Sequence, residues 1–145
     1  MSAVVIDTNI TLDLFVFQDP AIAPLHEALK RDALDWLATA DMREELIRVL
    51  DYPQIVRRRV AAALSEREVL DAFDRHARIV PAAAKAPFTC KDPDDQVFID
   101  LAAAHGATLV SKDAEVLCMA RRLERLGVRV CRAWTVTSIT TSHLA

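Results

Sequence analysis

Glycine is almost missing from this chain: its 145 residues contain two, Gly106 and Gly127. Two isolated glycines cannot build a dinucleotide-binding G-x-G-x-x-G turn or a phosphate-cradling P-loop, so enzymes that depend on those devices are excluded. Cysteine is scarce as well. Cys90, Cys118 and Cys131 are odd in number, widely spaced and outside any C-x-x-C pattern, which argues against a disulfide framework and a zinc site and leaves them as expected buried thiols. His26, His76, His105 and His143 form no H-x-x-x-H or comparable ligand pair. No apolar run reaches 18 residues, and the N-terminus shows neither the basic stretch nor the small-residue cleavage pattern of a secretory signal. The expectation is a cytoplasmic protein with no membrane association.

What the chain does have is apolar residues, 52% of the total, enough for the core of one domain spanning 1–145 and not for two. The net charge of −3 does not mark a nucleic-acid binder. Committing four of the 21 acidic residues to a metal site would leave 17 against 18 Lys and Arg, so it does not exclude one either.

Strand and helix signals alternate. Residues 3–6 read as a short buried strand, and the apolar residues of 10–17 continue as a helix ended near Asp19-Pro20. A helix over 22–31 and a strand over Leu34–Ala38, with Asp35 on the face opposite Leu34, Trp36 and Ala38, come next. Asp41 and Glu44 have the spacing of an N-cap and its third-position carboxylate for a helix ending near Asp51. Helices over 54–63 and 66–77, the second capped by Ser65 with Glu68, make a helical middle. A brief strand at Ile79-Val80 and a loop over 81–87 lead to a helix at Pro93–Ala104. A strand at Thr108–Val110, a helix at Ala114–Leu126 and a strand at Val128–Cys131 complete the pattern, with an edge strand at Trp134–Ile139. Gly106 and Gly127 fall where helices stop before strands. The implied fold class is α/β, a three-layer sandwich whose mainly parallel central sheet is flanked by helices.

In an open parallel sheet the working crevice lies beyond the carboxyl ends of the strands. Asp7 follows the first strand directly, and Asp113 lies shortly beyond Val110. Helix capping alone accounts for either one. In "CKDPDDQVFIDLA", Asp92, Pro93 and Asp95 likewise fit a helix start, but phase separates the acids: at 100° per residue Asp95 shares the apolar face of Phe98, Ile99 and Ala102, while Asp100 lies nearly opposite. An inward carboxylate needs a partner, and a cation is one that neighbouring carboxylates can share. On the Asp41 helix, Glu45 borders the buried stripe of Met42, Leu46, Val49 and Leu50, whereas Glu44 points to solvent. Asp7, Glu45, Asp95 and Asp113 together suit one or two hard cations, Mg²⁺ or Mn²⁺. Such ions support phosphodiester hydrolysis without histidine, cysteine or a glycine loop.

"VVIDTNITL", "EELIRVL", "DPDDQVFIDLA" and "LVSKDAEVL", in this order and with a helical middle between the second and third, resemble the motif blocks of PIN-domain proteins, and more narrowly the toxin components of bacterial toxin-antitoxin pairs. The resemblance runs from residue 3 to about 132. It places the family's acidic positions on Asp7, Glu45, Asp95 and Asp113, with Asn9 and Ser111 at supporting polar positions and Asp92 and Asp94 beside them. Lys112 stands where a small residue is common. The resemblance implies a Mg²⁺- or Mn²⁺-dependent ribonuclease, an antitoxin protein as inhibitor and a homodimer. Arg57, Arg58, Arg59, Lys112, Arg121 and Arg122 are candidates for RNA phosphate contact, Lys112 first because it adjoins Asp113.

Two rivals share these features. Phosphatases of the haloacid dehalogenase type carry Asp-x-Asp-x-Thr after a hydrophobic strand, but here Asn9 replaces the second Asp, and an amide cannot act as the general acid. A non-catalytic interaction module would keep the fold, yet a degenerate site should have lost a carboxylate, and all four are present.

Overall fold

The computed structural model describes residues 2–134. Its sheet has five strands, β1 (Ser2–Ile6), β2 (Leu34–Ala38), β3 (Ala77–Ile79), β4 (Thr108–Val110) and β5 (Val130–Cys131), all parallel, in the order β3-β2-β1-β4-β5. The central strand is β1. Val4 and Val5 are wholly buried and Ile6 nearly so, because helices cover both faces of a parallel sheet and every position must then be apolar. β2 carries Trp36, which meets Phe73 edge to face at 5.1 Å, while Asp35 points outward to an ion pair with Arg78 of β3.

Between the strands lie α1 (Thr8–Leu12), α2 (Ala23–Lys30), α3 (Ala40–Leu50), α4 (Pro53–Ala61), α5 (Glu66–His76), α6 (Pro93–His105), α7 (Ala114–Leu117) and α8 (Ala120–Glu124). The chain runs from β1 through β2 to β3 on one side, then returns to place β4 and β5 on the other. Right-handed crossovers therefore put α1–α5 on one face and α6–α8 on the opposite one. In keeping with this, α6 packs on β1 and β4, and α3 packs with α1, α4 and α5. The reversal of direction falls between β1 and β4, which is where such a sheet opens a crevice.

Several sequence expectations need correction. The helix foreseen over 10–17 widens into a π-helical turn at Asp13–Phe17, which buries Asp13, Leu14, Phe15 and Val16 in succession, more consecutive positions than one face of an α-helix can bury. It closes with Gln18 in the left-handed region at φ 50°. The cap of α3 is Thr39, whose hydroxyl accepts from the Met42 N–H at 3.3 Å; Asp41 is in the first turn instead. The third strand is Ala77–Ile79 rather than Ile79-Val80. The helix expected over 114–126 is broken at Cys118-Met119, where the Met119 N–H reaches back only three residues, to Val116 O. That tighter turn buries Met119 and leaves Cys118 exposed, so among the thiols only Cys90 is fully buried. Asp100 is buried too, contrary to its phase: the 80–92 connection covers that side of α6, and its carboxylate accepts from the Ala86 N–H and the Gln96 amide, both at 2.8 Å. The expected edge strand at 134–139 lies, beyond Trp134, outside the described residues. The Ser65–Glu68 capping box and the Gly106 stop in the left-handed region are as the sequence indicates.

Candidate active site: a carboxylate cluster at the switch point

Asp7 leaves β1 at the crevice. Its N–H still belongs to the sheet, donating to Val110 O at 3.1 Å, and its side chain turns to cap α1 by accepting from the Ile10 N–H at 2.9 Å. The second carboxylate oxygen accepts a short hydrogen bond from the Ser111 hydroxyl. That hydroxyl, wholly buried, also accepts from the Asp113 N–H at 3.2 Å, so it ties the end of β1 to the turn after β4. Asp113 caps α7 through the Glu115 N–H at 2.8 Å. Asp92 caps α6 through the Asp94 N–H at 3.0 Å, with Pro93 at the first helical position. Helix capping, which the sequence offered as a complete account of these acids, is thus real at each of them. Their convergence is what capping does not explain.

Asp92, Asp95 and Asp113 each bring one carboxylate oxygen within 4.8 Å of the others. Oxygens bound to one hard cation at about 2.0–2.6 Å lie no more than about 4–5 Å apart, so the trio fits such an ion. Asp95 Oδ2 is buried and has no hydrogen-bond partner. An orphaned anionic oxygen facing two carboxylates is the kind of group a cation satisfies. Its carboxyl is pushed up to about 7, first by burial, then by the adjacent Asp113 carboxylate, with smaller contributions from Asp92 and Asp7. Burial also raises Asp7, against the lowering effect of the Ser111 and Ile10 hydrogen bonds. This is a set of charges held together before any counter-charge arrives.

The trio opens into a cavity of about 310 Å³ that Asp7, Asn9, Glu45 and Asp94 also line. Glu45 is at the border of the core, and its Oε1 accepts from the Thr8 hydroxyl at 2.7 Å. Thr8, which fixes Glu45 at the cavity by this bond, is not singled out by the sequence; a hydroxyl immediately after a strand-end aspartate is the available signal. Gln96 is not singled out either. It accepts from the Cys90 N–H and donates to Phe88 O and Asp100, fastening the connection that delivers Asp92. Asp7 and Glu45 share the cavity without joining the close trio, and Asp92, expected beside the site, stands within it.

The basic candidates are placed elsewhere. Lys112 donates to the buried Asp13 at 2.7 Å, Arg58 covers the Phe17 ring at 4.6 Å, and the Arg59 guanidinium is spent on Leu50 O and Leu64 O. Arg57, Arg121 and Arg122 are exposed and outside the cavity lining.

A parallel α/β sheet with aspartates gathered at its switch point defines the class: an α/β domain with an acidic crevice at the strand ends. Residues 3–115 match the family model of the PIN domain, and the chain belongs to that family. PIN domains are commonly nucleases and generally use divalent metals. No curated protein matches the chain. Among the described residues no helix is long and apolar enough to cross a membrane.

Proposed function

We propose that this protein is a Mg²⁺- or Mn²⁺-dependent endoribonuclease, acting as the toxin of a toxin-antitoxin pair. The observation that carries the reading is Asp95: a carboxylate oxygen buried without a partner, beside Asp92 and Asp113, in a cavity shared with Asp7 and Glu45. Asp92, Asp95 and Asp113 would hold the ion, with Asp7 and Glu45 close enough to the same cavity to complete its surroundings. A divalent ion supplies Lewis-acid charge, which acidifies water and offsets the negative charge developing on a phosphodiester. The Ser111 hydrogen bond favours the ionised form of Asp7 against the burial that raises its carboxyl, and Thr8 holds Glu45 at the cavity, where the glutamate can orient an attacking water or take its proton.

The toxin role, an antitoxin partner and a homodimer rest on the family resemblance of the four motif blocks, a single domain over 1–145 on chain length and apolar content, and a cytoplasmic setting on the sequence pattern alone. Phosphatase chemistry at Asp7 is disfavoured by burial, since both of its oxygens are engaged and the residue is 3% exposed. The test is cleavage of RNA by the purified chain in Mn²⁺, Mg²⁺ or EDTA, beside Asp7→Asn. Expected are metal-dependent cleavage and its loss by about 100-fold or more in the variant. Cleavage that survives both EDTA and the substitution overturns the reading, and an acid-stable phosphate on Asp7 would replace it with the phosphatase.

A further inference from the structure

The carboxylates make up only part of the cavity wall. Leu12 of α1 makes up part of the rest, and Val49, Tyr52, Gln54 and Ile55, at the corner where α3 passes into α4, make up much of the remainder. Tyr52 is the chain's single tyrosine and is 47% exposed. Scattered exposed apolar residues are ordinary on protein surfaces. Tyr52 differs in how it is held and in what it faces. Its N–H donates to Val49 O at 3.0 Å, and its own carbonyl accepts from the Ile55 and Val56 N–H groups at 2.9 and 2.8 Å. Ile55 beside it is buried. The backbone is therefore pinned on both sides while the residue is left about half exposed, in the wall of the cavity that holds Asp92, Asp94 and Asp95.

Folding gains little from a half-exposed aromatic residue on a fixed stretch of backbone. A nucleic-acid strand gains more. Any phosphodiester seated at the carboxylates carries a base on each side, and unpaired bases stack on aromatic side chains. An acidic protein also needs binding energy that does not come from phosphate contacts, and stacking supplies it without adding positive charge. Gln54, exposed and on the same wall, offers an amide donor and acceptor to a base edge.

We infer that Tyr52 is the base-stacking residue of the nuclease site and Gln54 its edge-reading neighbour, so that the α3–α4 corner selects the nucleotide next to the cleaved bond. This rests on the ribonuclease reading above. It assigns substrate choice to the α3–α4 corner and leaves the chemistry to the carboxylates.

The test uses the full chain with Mn²⁺, a mixed-sequence single-stranded RNA, and copies of that RNA carrying one abasic ribose at successive positions around the cleaved bond. For the wild type, one adjacent abasic position is expected to lower kcat/KM by about 5- to 150-fold, mainly through KM. Tyr52→Ala is expected to show the same loss on intact RNA and no further loss on the abasic copy, while Tyr52→Phe behaves as wild type. Tyr52→Leu, which keeps the apolar volume without the π face, gives the same comparison should the alanine variant fold poorly. An abasic penalty of equal size in wild type and in the alanine or leucine variant overturns the assignment, as does an unchanged KM on intact RNA. If the wild type shows no Asp7-dependent RNA cleavage, the ribonuclease reading fails first and this inference with it.

Discussion

Replacing Asp95 by asparagine is expected to stabilise the protein in EDTA while abolishing its response to metal. The carboxyl is lifted from 3.8 to about 7. At full effect such a displacement corresponds to roughly 4 kcal/mol against the folded state. The cavity is open to water, and solvent screening reduces this to about 1–2 kcal/mol. Because the folded-state value lies above the unfolded one, the native form binds the proton more tightly. The stability from that proton is complete below about pH 4, declines as pH rises, and is gone above about 7. The amide introduced by Asp95→Asn carries no charge, so the variant's advantage over wild type grows across the same interval and is greatest at pH 8.

With an unfolding entropy of about 2 cal/mol/K per residue, 145 residues convert 1–2 kcal/mol into a Tm gain of about 3–7 °C. Thermal melts in EDTA at pH 4, 6 and 8 measure it. Adding Mn²⁺ should reverse the ranking, since a ligand at 100 times its Kd stabilises the native state by about 2.7 kcal/mol and the variant has lost a ligand. A variant no more stable than wild type at pH 8, or one whose gain is the same at pH 4, would refute the idea that uncompensated charge at Asp95 loads the fold.

Ser111→Ala removes the hydroxyl that favours ionised Asp7, so the Asp7 carboxyl should rise further and the acidic limb of the pH–rate profile should move to higher pH; an unmoved limb counts against the Ser111–Asp7 link. Asp100→Ala leaves the Ala86 N–H and the Gln96 amide without their acceptor and is expected to cost about 1–3 kcal/mol in urea unfolding, with cleavage chemistry retained by the folded fraction.

The site was legible in the sequence where one element determines the outcome. Asp7 follows an uninterrupted apolar strand, and Asp95 is on the apolar side of its own helix, so a strand end and helical phase marked them as candidates. Glu45, on the border of the α3 stripe, reads as a solvated side chain by itself and was raised only by the set of acids around it. The same phase argument misplaced Asp100, because a wheel drawn for one helix does not show the 80–92 connection lying over its far side. Asp92 was legible as a cap but not as a member of the trio, since the distance from Asp92 to Asp113 depends on how α6 and β4 meet. The break at Cys118-Met119 and the π-helical turn at Asp13–Phe17 are compromises with burial, invisible to a count of 3.6 residues per turn. Thr39 and Asp41 both satisfy the chemistry of a cap; Thr39 takes the position because β2 ends at Ala38 and the chain turns at once.

Three of the acids, Asp7, Asp92 and Asp113, begin helices, and selection for folding alone would retain them in a descendant that had given up catalysis. Asp95 begins nothing and burdens the fold whenever no cation answers it. Once cleavage ceased to matter, drift should therefore erase Asp95 well before the other three. If the proposed nuclease reading holds, a sister chain that keeps the three helix starters but carries asparagine or alanine at this one position would have given up cleavage with its architecture intact.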